Sequence, residues 1–254
     1  MGARSVSDDG EYPNFCARAS LDPTVFSRFR SDPGYQRILE HLTPDQGAQL
    51  LNRMQATHPA LLDPDVLAKV AENDTVGRPG SLMRVGSEVV SPTTLRYLKV
   101  ATDIINNFDV DQIQSIAEIG VGYGGQVRVL DAVGIGTSYS MFDLAPVLSL
   151  ATRYLECFVL RGSYRPTTLN QSEPLAPDLV LSMYALSELP RPLQMNYYEK
   201  VLKRARSGFM IMNDCWDFDR LTQQEWVEAL NAEVRPEDPE TGAGNYVLIW
   251  GHLQ

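Results

Sequence analysis

The chain reads as an α/β protein: a doubly wound, mostly parallel seven-stranded sheet with a helical N-terminal extension. Three observations predict it. Residues 116–130, IAEIGVGYGGQVRVL, run from a short apolar strand through a glycine turn into a helix. Between residues 138 and 213, strand-like and helix-like segments alternate. Residues 232–252 hold two strand-like segments joined by the turn-rich PEDPETGAG, a hairpin that adds an antiparallel last strand to a parallel sheet.

Taken in order, residues 1–20 carry Gly10, Pro13 and Asn14 without a period and are expected to be a tail. Val25, Phe26 and Phe29, then Ile38, Leu39 and Leu42, then Leu50, Leu51 and Met54 recur at helical spacing. Asp32-Pro33-Gly34 and Thr43-Pro44-Asp45 interrupt them, so short helices are expected. Thr43-Pro44, Asp63-Pro64 and Ser91-Pro92 are helix starts, a capping side chain followed by proline in the first turn. Between the last two, residues 72–92 are too long and too apolar for plain linker, and are read as a lid over a substrate or as a structural crossover. After the strand at 116–119 come a helix from Gly124 or Gly125, a strand at 138–144, a helix at 145–158 and a strand at 178–182. A helix at 192–205, a strand at 209–213 and a helix at 222–230 follow, before strands at 232–235 and 246–252. The chain divides into an extension over 1–112 and a ligand-binding domain over 113–254.

Composition narrows the partners. A chain of 254 residues with 44% hydrophobic residues fills a sizeable core. A net charge of -10 without any basic run excludes nucleic acid as the main partner and points to a small neutral or cationic substrate. Cys16, Cys157 and Cys215 are too scattered for a disulfide framework or a thiolate metal site. The start, MGARSVSDDGEYP, has no apolar leader core, and no run approaches the length of a membrane span. A cytoplasmic protein without membrane contact is expected; the oligomeric state is left open.

Gly120, Gly122 and Gly125 satisfy the spacing of a dinucleotide turn, GxGxxG. Glu118, two residues earlier, argues for a different ligand. A carboxylate there repels a pyrophosphate but accepts a hydrogen bond from an ammonium group, as S-adenosylmethionine offers. The string E-I-G-V-G-Y-G-G resembles the first motif of the class I S-adenosylmethionine-dependent methyltransferases, a Rossmann-like family whose sheet ends in an antiparallel hairpin. Asp143, 23 residues past Gly120 by number, is placed to accept both ribose hydroxyls, with Leu144 beside the adenine. Its structural alternative is a strand-end acid or helix cap.

The likeness narrows further on. EIGVGYGGQ, FDL, SMYALSEL and QMNYYEKVL, preceded by NDTVGRP and SPTTLRYL, together resemble the sugar O-methyltransferase family over residues 70–215. That resemblance implies cofactor contacts from Glu118, Gly120, Gly122, Gly124, Gln126 and Asp143, joined by Leu144, Ser182 and Tyr184. It implies an active-site floor at Tyr184, Ser187 and Glu188, and a small-molecule acceptor, a sugar. Methyl transfer to a hydroxyl needs a group to take its proton, and Glu188 is preferred over Asp214 for that role. The alternative for Glu188 is a cap on the helix that follows. Asp214, Asp217 and Asp219 form an acidic stretch that would suit Mg2+, a reading weighed and not favoured. His41 and His58 are read as surface residues, and His252 as a strand-end residue that would face the cleft only if its side chain turns inward. Three rivals remain: a nicotinamide-dependent oxidoreductase, a methyltransferase for a phenol or carboxylate, and a protein that binds the cofactor without turnover.

Overall fold

The computed structural model describes residues 10–214 and 217–252; residues 1–9 of the expected tail, with Cys215 and Trp216 of the acidic stretch, lie outside them. From residue 11 the expected tail is a helix. α1 (Glu11–Leu21) buries Tyr12, Cys16 and Ala19, a helical spacing that Pro13, tolerated in a first turn, disguises in the sequence. α2 (Pro23–Phe26), α3 (Pro33–Ile38), α4 (Pro44–Thr57) and α5 (Pro64–Ala71) each open on a proline behind Asp or Thr. Asp22 and Asp32 accept first-turn amides, and Thr43 forms a reciprocal capping box with Gln46.

Residues 72–92 are not an open loop. They hold a 3-10 turn at Glu72–Thr75 and a tight antiparallel hairpin, β1 (Met83–Val85) and β2 (Glu88–Val90), which buries Val85 and Val90. Asn73, Asp74 and Ser91 from this segment close around Arg30. That guanidinium is fully buried and pairs with Glu40 (2.5 Å) and Asp74 (2.8 Å). It also donates to Asn73 O and Ser91 Oγ, both at 3.0 Å, and lies 4.8 Å from the centre of the Tyr123 ring. A buried charge is costly unless its donors are met, and here they are. Since Tyr123 belongs to the glycine turn, this network fastens the extension to the sheet.

α6 (Pro92–Asn107), capped by Ser91, is buried along most of its length and delivers the chain to the sheet. Then follow β3 (Ser115–Ile119), α7 (Gly125–Val133), β4 (Ser138–Phe142), α8 (Ala145–Leu155), β5 (Ser163–Thr167) and β6 (Leu179–Met183). α9 (Arg191–Lys200), β7 (Ser207–Met212), α10 (Gln223–Leu230), β8 (Glu233–Pro236) and β9 (Tyr246–Trp250) complete it. The strand order is β5-β4-β3-β6-β7-β9-β8, parallel from β5 to β7 and antiparallel at β9 and β8. This is the doubly wound, mostly parallel seven-stranded sheet expected. β5 carries no sequence signal: its SYRPT is mostly exposed, and Pro166 is tolerated because the strand lies at the edge.

Strand residues alternate between two cores. Ile116, Met141, Leu181 and Ile211 face the helices that precede and follow the glycine turn. Ala117, Phe142, Val180 and Met210 face α9 and α10, against Trp226. Order reverses between β3 and β6, and the carboxyl ends of β3 to β7 share one edge of the sheet. The β8–β9 connection reaches the same edge, because Tyr246 pairs with both Met212 and Pro236. Among the described residues, no helix is long and apolar enough to cross a membrane.

Candidate active site

The glycine turn continues β3 at the reversal point, where ligands bind in open parallel sheets. Gly120 and Gly122 adopt φ of 82° and 56°, and Gly124, at 88°, precedes the first residue of α7. A Cβ on Gly120 would stand 2.0 Å from that of Ala185, in the turn after β6. The turn therefore packs against its neighbour with no room for a side chain. Asp143, at the end of β4, accepts from Gly122 N (3.0 Å) and Leu144 N (2.7 Å), fixing the turn from the second strand.

Over this edge lies a cavity of about 880 Å3. Glu118, Gly120, Gly122, Asp143 and Leu144 line it, and so do Tyr184 and Glu188. Among the described residues, Gly124, Gln126, Ser182 and Asp214 do not line it, so the structure does not bring those four expected site residues to the cavity. Gly124 supports the helix start against Leu155. Gln126 is buried and donates to Tyr97 O (3.1 Å), and Ser182 bridges Ile119 O and Leu186 N inside the fold. Asp214 is exposed and pairs with Arg220; Asn213 takes the cavity position at that strand end. Ser187, expected in the floor, is buried and binds Tyr184 O and Asn213 N. Residues 72–92 do not line the cavity either; among the described residues they pack around Arg30 instead.

Two acids dominate the floor. Glu118 is 2% exposed; burial lifts its pKa to about 8, opposed by the 2.5 Å bond that Tyr139 donates and reinforced by Asp143. Asp143 is raised to about 6, again by burial, opposed by the amides of Leu144 and Gly122. A positive charge beside either acid would favour its ionised form. Glu188 ends a 3-10 turn at Ala185–Glu188. The following helix starts after Pro190, which has no side chain able to cap it.

Much of the wall comes from residues to which the sequence assigned no role. Tyr12, Leu39, Arg96 and Tyr97 of the extension cover the edge, and His41, exposed as expected, also borders the cavity. Its pKa is depressed by burial and then by Arg96. Thr241 and Asn245 close the other side. Their loop is built on Glu237, a buried carboxylate that accepts from Thr241 N (2.9 Å), Asn245 Nδ2 (2.8 Å) and the Tyr184 hydroxyl. Tyr184 itself holds φ at 68°, the strained region for a residue with a Cβ. His252 pairs with Glu233 (3.1 Å) on β8, away from the cavity. Among the described residues no cluster of three metal-ligating side chains occurs.

No family model matches this chain, and no curated protein does. Solved structures resemble it. The mitomycin 7-O-methyltransferase is 13% identical, the match covering 87% of this chain and 69% of that one, with a TM-score of 0.44. The magnesium protoporphyrin IX methyltransferase of Synechocystis PCC 6803, solved with S-adenosylmethionine, is 10% identical over 61% of this chain and 76% of its own, with a TM-score of 0.46. The methyltransferase domain of bacterial CtHen1-CN is 14% identical over 61% and 96%, with a TM-score of 0.45. At such identities and TM-scores these likenesses say nothing about the chemistry of the cavity.

Proposed function

We propose that the protein is an S-adenosylmethionine-dependent O-methyltransferase acting on a hydroxyl of a sugar or sugar-containing small molecule. The observation that carries this is the buried Glu118 and the half-buried Asp143 on the floor of one cavity beside a side-chain-free turn. An acid at Glu118 opposes the phosphates of a dinucleotide and suits an ammonium group, while Asp143 suits the ribose that both cofactors carry. Glu118 would hold the ammonium, Asp143 the ribose hydroxyls, and Leu144 with Leu169 the adenine. In this reading residues 113–254 form the cofactor-binding domain, and residues 1–112 form the extension that covers it. The scattered cysteines fit a cytoplasmic setting.

When bound, the cofactor supplies an electrophilic methyl on a sulfonium. The chain's task is to hold an acceptor oxygen in line, exclude water and remove a proton. Asn213, Thr241 and Asn245 place amide and hydroxyl groups on the acceptor side of the cavity, as a hydroxyl-bearing molecule would use. Glu188 is the acid on that side of the cavity and would accept the hydroxyl proton as its oxygen is methylated. Thermal shift separates the rivals: S-adenosylhomocysteine is expected to stabilise the protein, and NADH is not. The reverse pattern would return the glycine turn to a dinucleotide, and radiolabelled methyl transfer to a panel of sugars tests turnover.

A further inference from the structure

The charges of the cavity are sorted by layer. Glu118, Asp143 and Glu188 come from the edge of the sheet, whereas the guanidinium groups of Arg37 and Arg96, with the imidazole of His41, come from the extension laid over it. Arg96 is the informative one. It is 6% exposed, yet no carboxylate among the described residues pairs with it. Its Nη2 makes one long bond to Leu39 O (3.4 Å), and its Nε has no partner. Arg30 shows the contrast, with two carboxylates and two further acceptors. A guanidinium held out of water and outside any ion pair, with Glu40 acting on it only at a distance, is costly, and a ligand anion would relieve that cost.

Its position says which ligand. The guanidinium carbon lies 5.8 Å from the centre of the Tyr184 ring, and Tyr184 directly follows β6. Arg96 therefore lies on the side of the reversal point that Asn213, Thr241 and Asn245 also line, opposite Asp143 and Leu169, which follow β4 and β5. Arg37, exposed and outside every ion pair among the described residues, and His41 add donors to the same wall.

Resting on the methyltransferase reading above, we propose that the acceptor carries an anionic group, a carboxylate or a phosphate, bound by Arg96 with Arg37 and His41 beside it. A sugar acid or a sugar phosphate meets both this site and the amide and hydroxyl wall next to it. A cationic cofactor over the acids and an anion under the bases also attract each other across the cavity. The net charge of -10 hides this arrangement, because the bases are few and are gathered by the fold.

Calorimetry on protein saturated with S-adenosylhomocysteine tests it, with D-glucuronate and D-glucose 6-phosphate as probes and D-glucose as the neutral control. At least one anion is expected to bind about tenfold or more tighter than glucose, and which one separates carboxylate from phosphate. Arg96→Gln should abolish that preference. Arg96→Lys should keep part of it, as a misfolded variant would not, and both should bind S-adenosylhomocysteine within about twofold of the wild type. Equal binding of glucose and both anions, or no saturable anion binding, would overturn the proposal. So would an Arg96→Gln variant that loses affinity for S-adenosylhomocysteine but not for 5′-methylthioadenosine, since the guanidinium would then belong to the cofactor's own carboxylate. Failure of S-adenosylhomocysteine to bind the wild type would overturn the underlying reading, and this proposal with it.

Discussion

Replacing Glu118 with glutamine separates what the buried carboxyl costs the fold from what it does for a ligand. The side chain is 2% exposed, and burial lifts its pKa from the ordinary 4.5 to about 8 despite the Tyr139 hydrogen bond. The unfolded chain ionises near 4.5, so above that pH folding requires the carboxyl to take up a proton. Its contribution to stability is complete below pH 4.5 and is lost as pH rises through about 8. At about 1.4 kcal/mol per pH unit the loss reaches roughly 5 kcal/mol at the alkaline end. The amide has no charge to lose, fills nearly the same volume and still accepts from Tyr139. Glu118→Gln is thus expected to match the wild type near pH 4.5 and to exceed its stability by roughly 3 kcal/mol at about pH 7. Urea unfolding of both proteins from about pH 5 to about pH 8 measures the difference, and a difference that does not grow with pH would refute the picture of a neutral buried acid. Binding should move the other way. Loss of a charge-assisted bond to the ammonium weakens S-adenosylhomocysteine by roughly ten- to a hundredfold, and the variant should lack the rise in affinity that the wild type shows towards pH 8.

Three further expectations rest on the same geometry. Asp143→Ala should weaken S-adenosylmethionine binding by about 1 to 3 kcal/mol, and unchanged calorimetric affinity would remove Asp143 from the cofactor site. Glu188→Gln should lower turnover by roughly 10² or more while S-adenosylhomocysteine binds nearly as before; near-normal turnover would deny it the role of base. Hydrogen exchange across residues 72–92 should not change on saturation with S-adenosylhomocysteine, because this segment packs around Arg30 and not over the cavity; new protection there would restore the lid.

The parallel core was legible because its signals are local. An apolar strand, a glycine turn and a helix repeat with little help from the rest of the chain, and proline behind Thr, Asp or Ser marked the starts of three helices of the extension; Asp22-Pro23 and Asp32-Pro33 open two more that were not read as starts. What escaped had its determinants elsewhere. β5 is a strand only because β4 offers it an edge, since SYRPT has no apolar run to bury. α1 is a helix because Tyr12, Cys16 and Ala19 find a core built by residues far along the chain, among them α8. The apolar residues of 72–92 looked like a cover for a ligand, whereas Val85 and Val90 cover the fold itself.

The same division runs through the site, and it has a chemical consequence. Glu118, Asp143 and Glu188 were readable because each stands at a short offset from a strand end, and strand ends in such a sheet face the ligand. Gln126 and Ser182 stand at equally short offsets yet turn into the fold, since an offset fixes where a residue lies and not where its side chain points. The opposite wall has no such rule. Arg96 reaches the cavity beside Leu39 and Tyr184, 57 and 88 residues away in the chain, and the Glu237 that holds Thr241 also binds Tyr184, 53 residues away, contacts that only the assembled fold creates. The sequence therefore exposed the acids at the sheet edge of the cavity, proposed to lie under the cofactor, and concealed the bases that the extension brings over it. A reading from net charge alone points to a neutral or cationic substrate, but a substrate meets the charges within a few ångströms of it, and there a guanidinium with an unpartnered Nε outweighs a surplus of carboxylates spread over the surface.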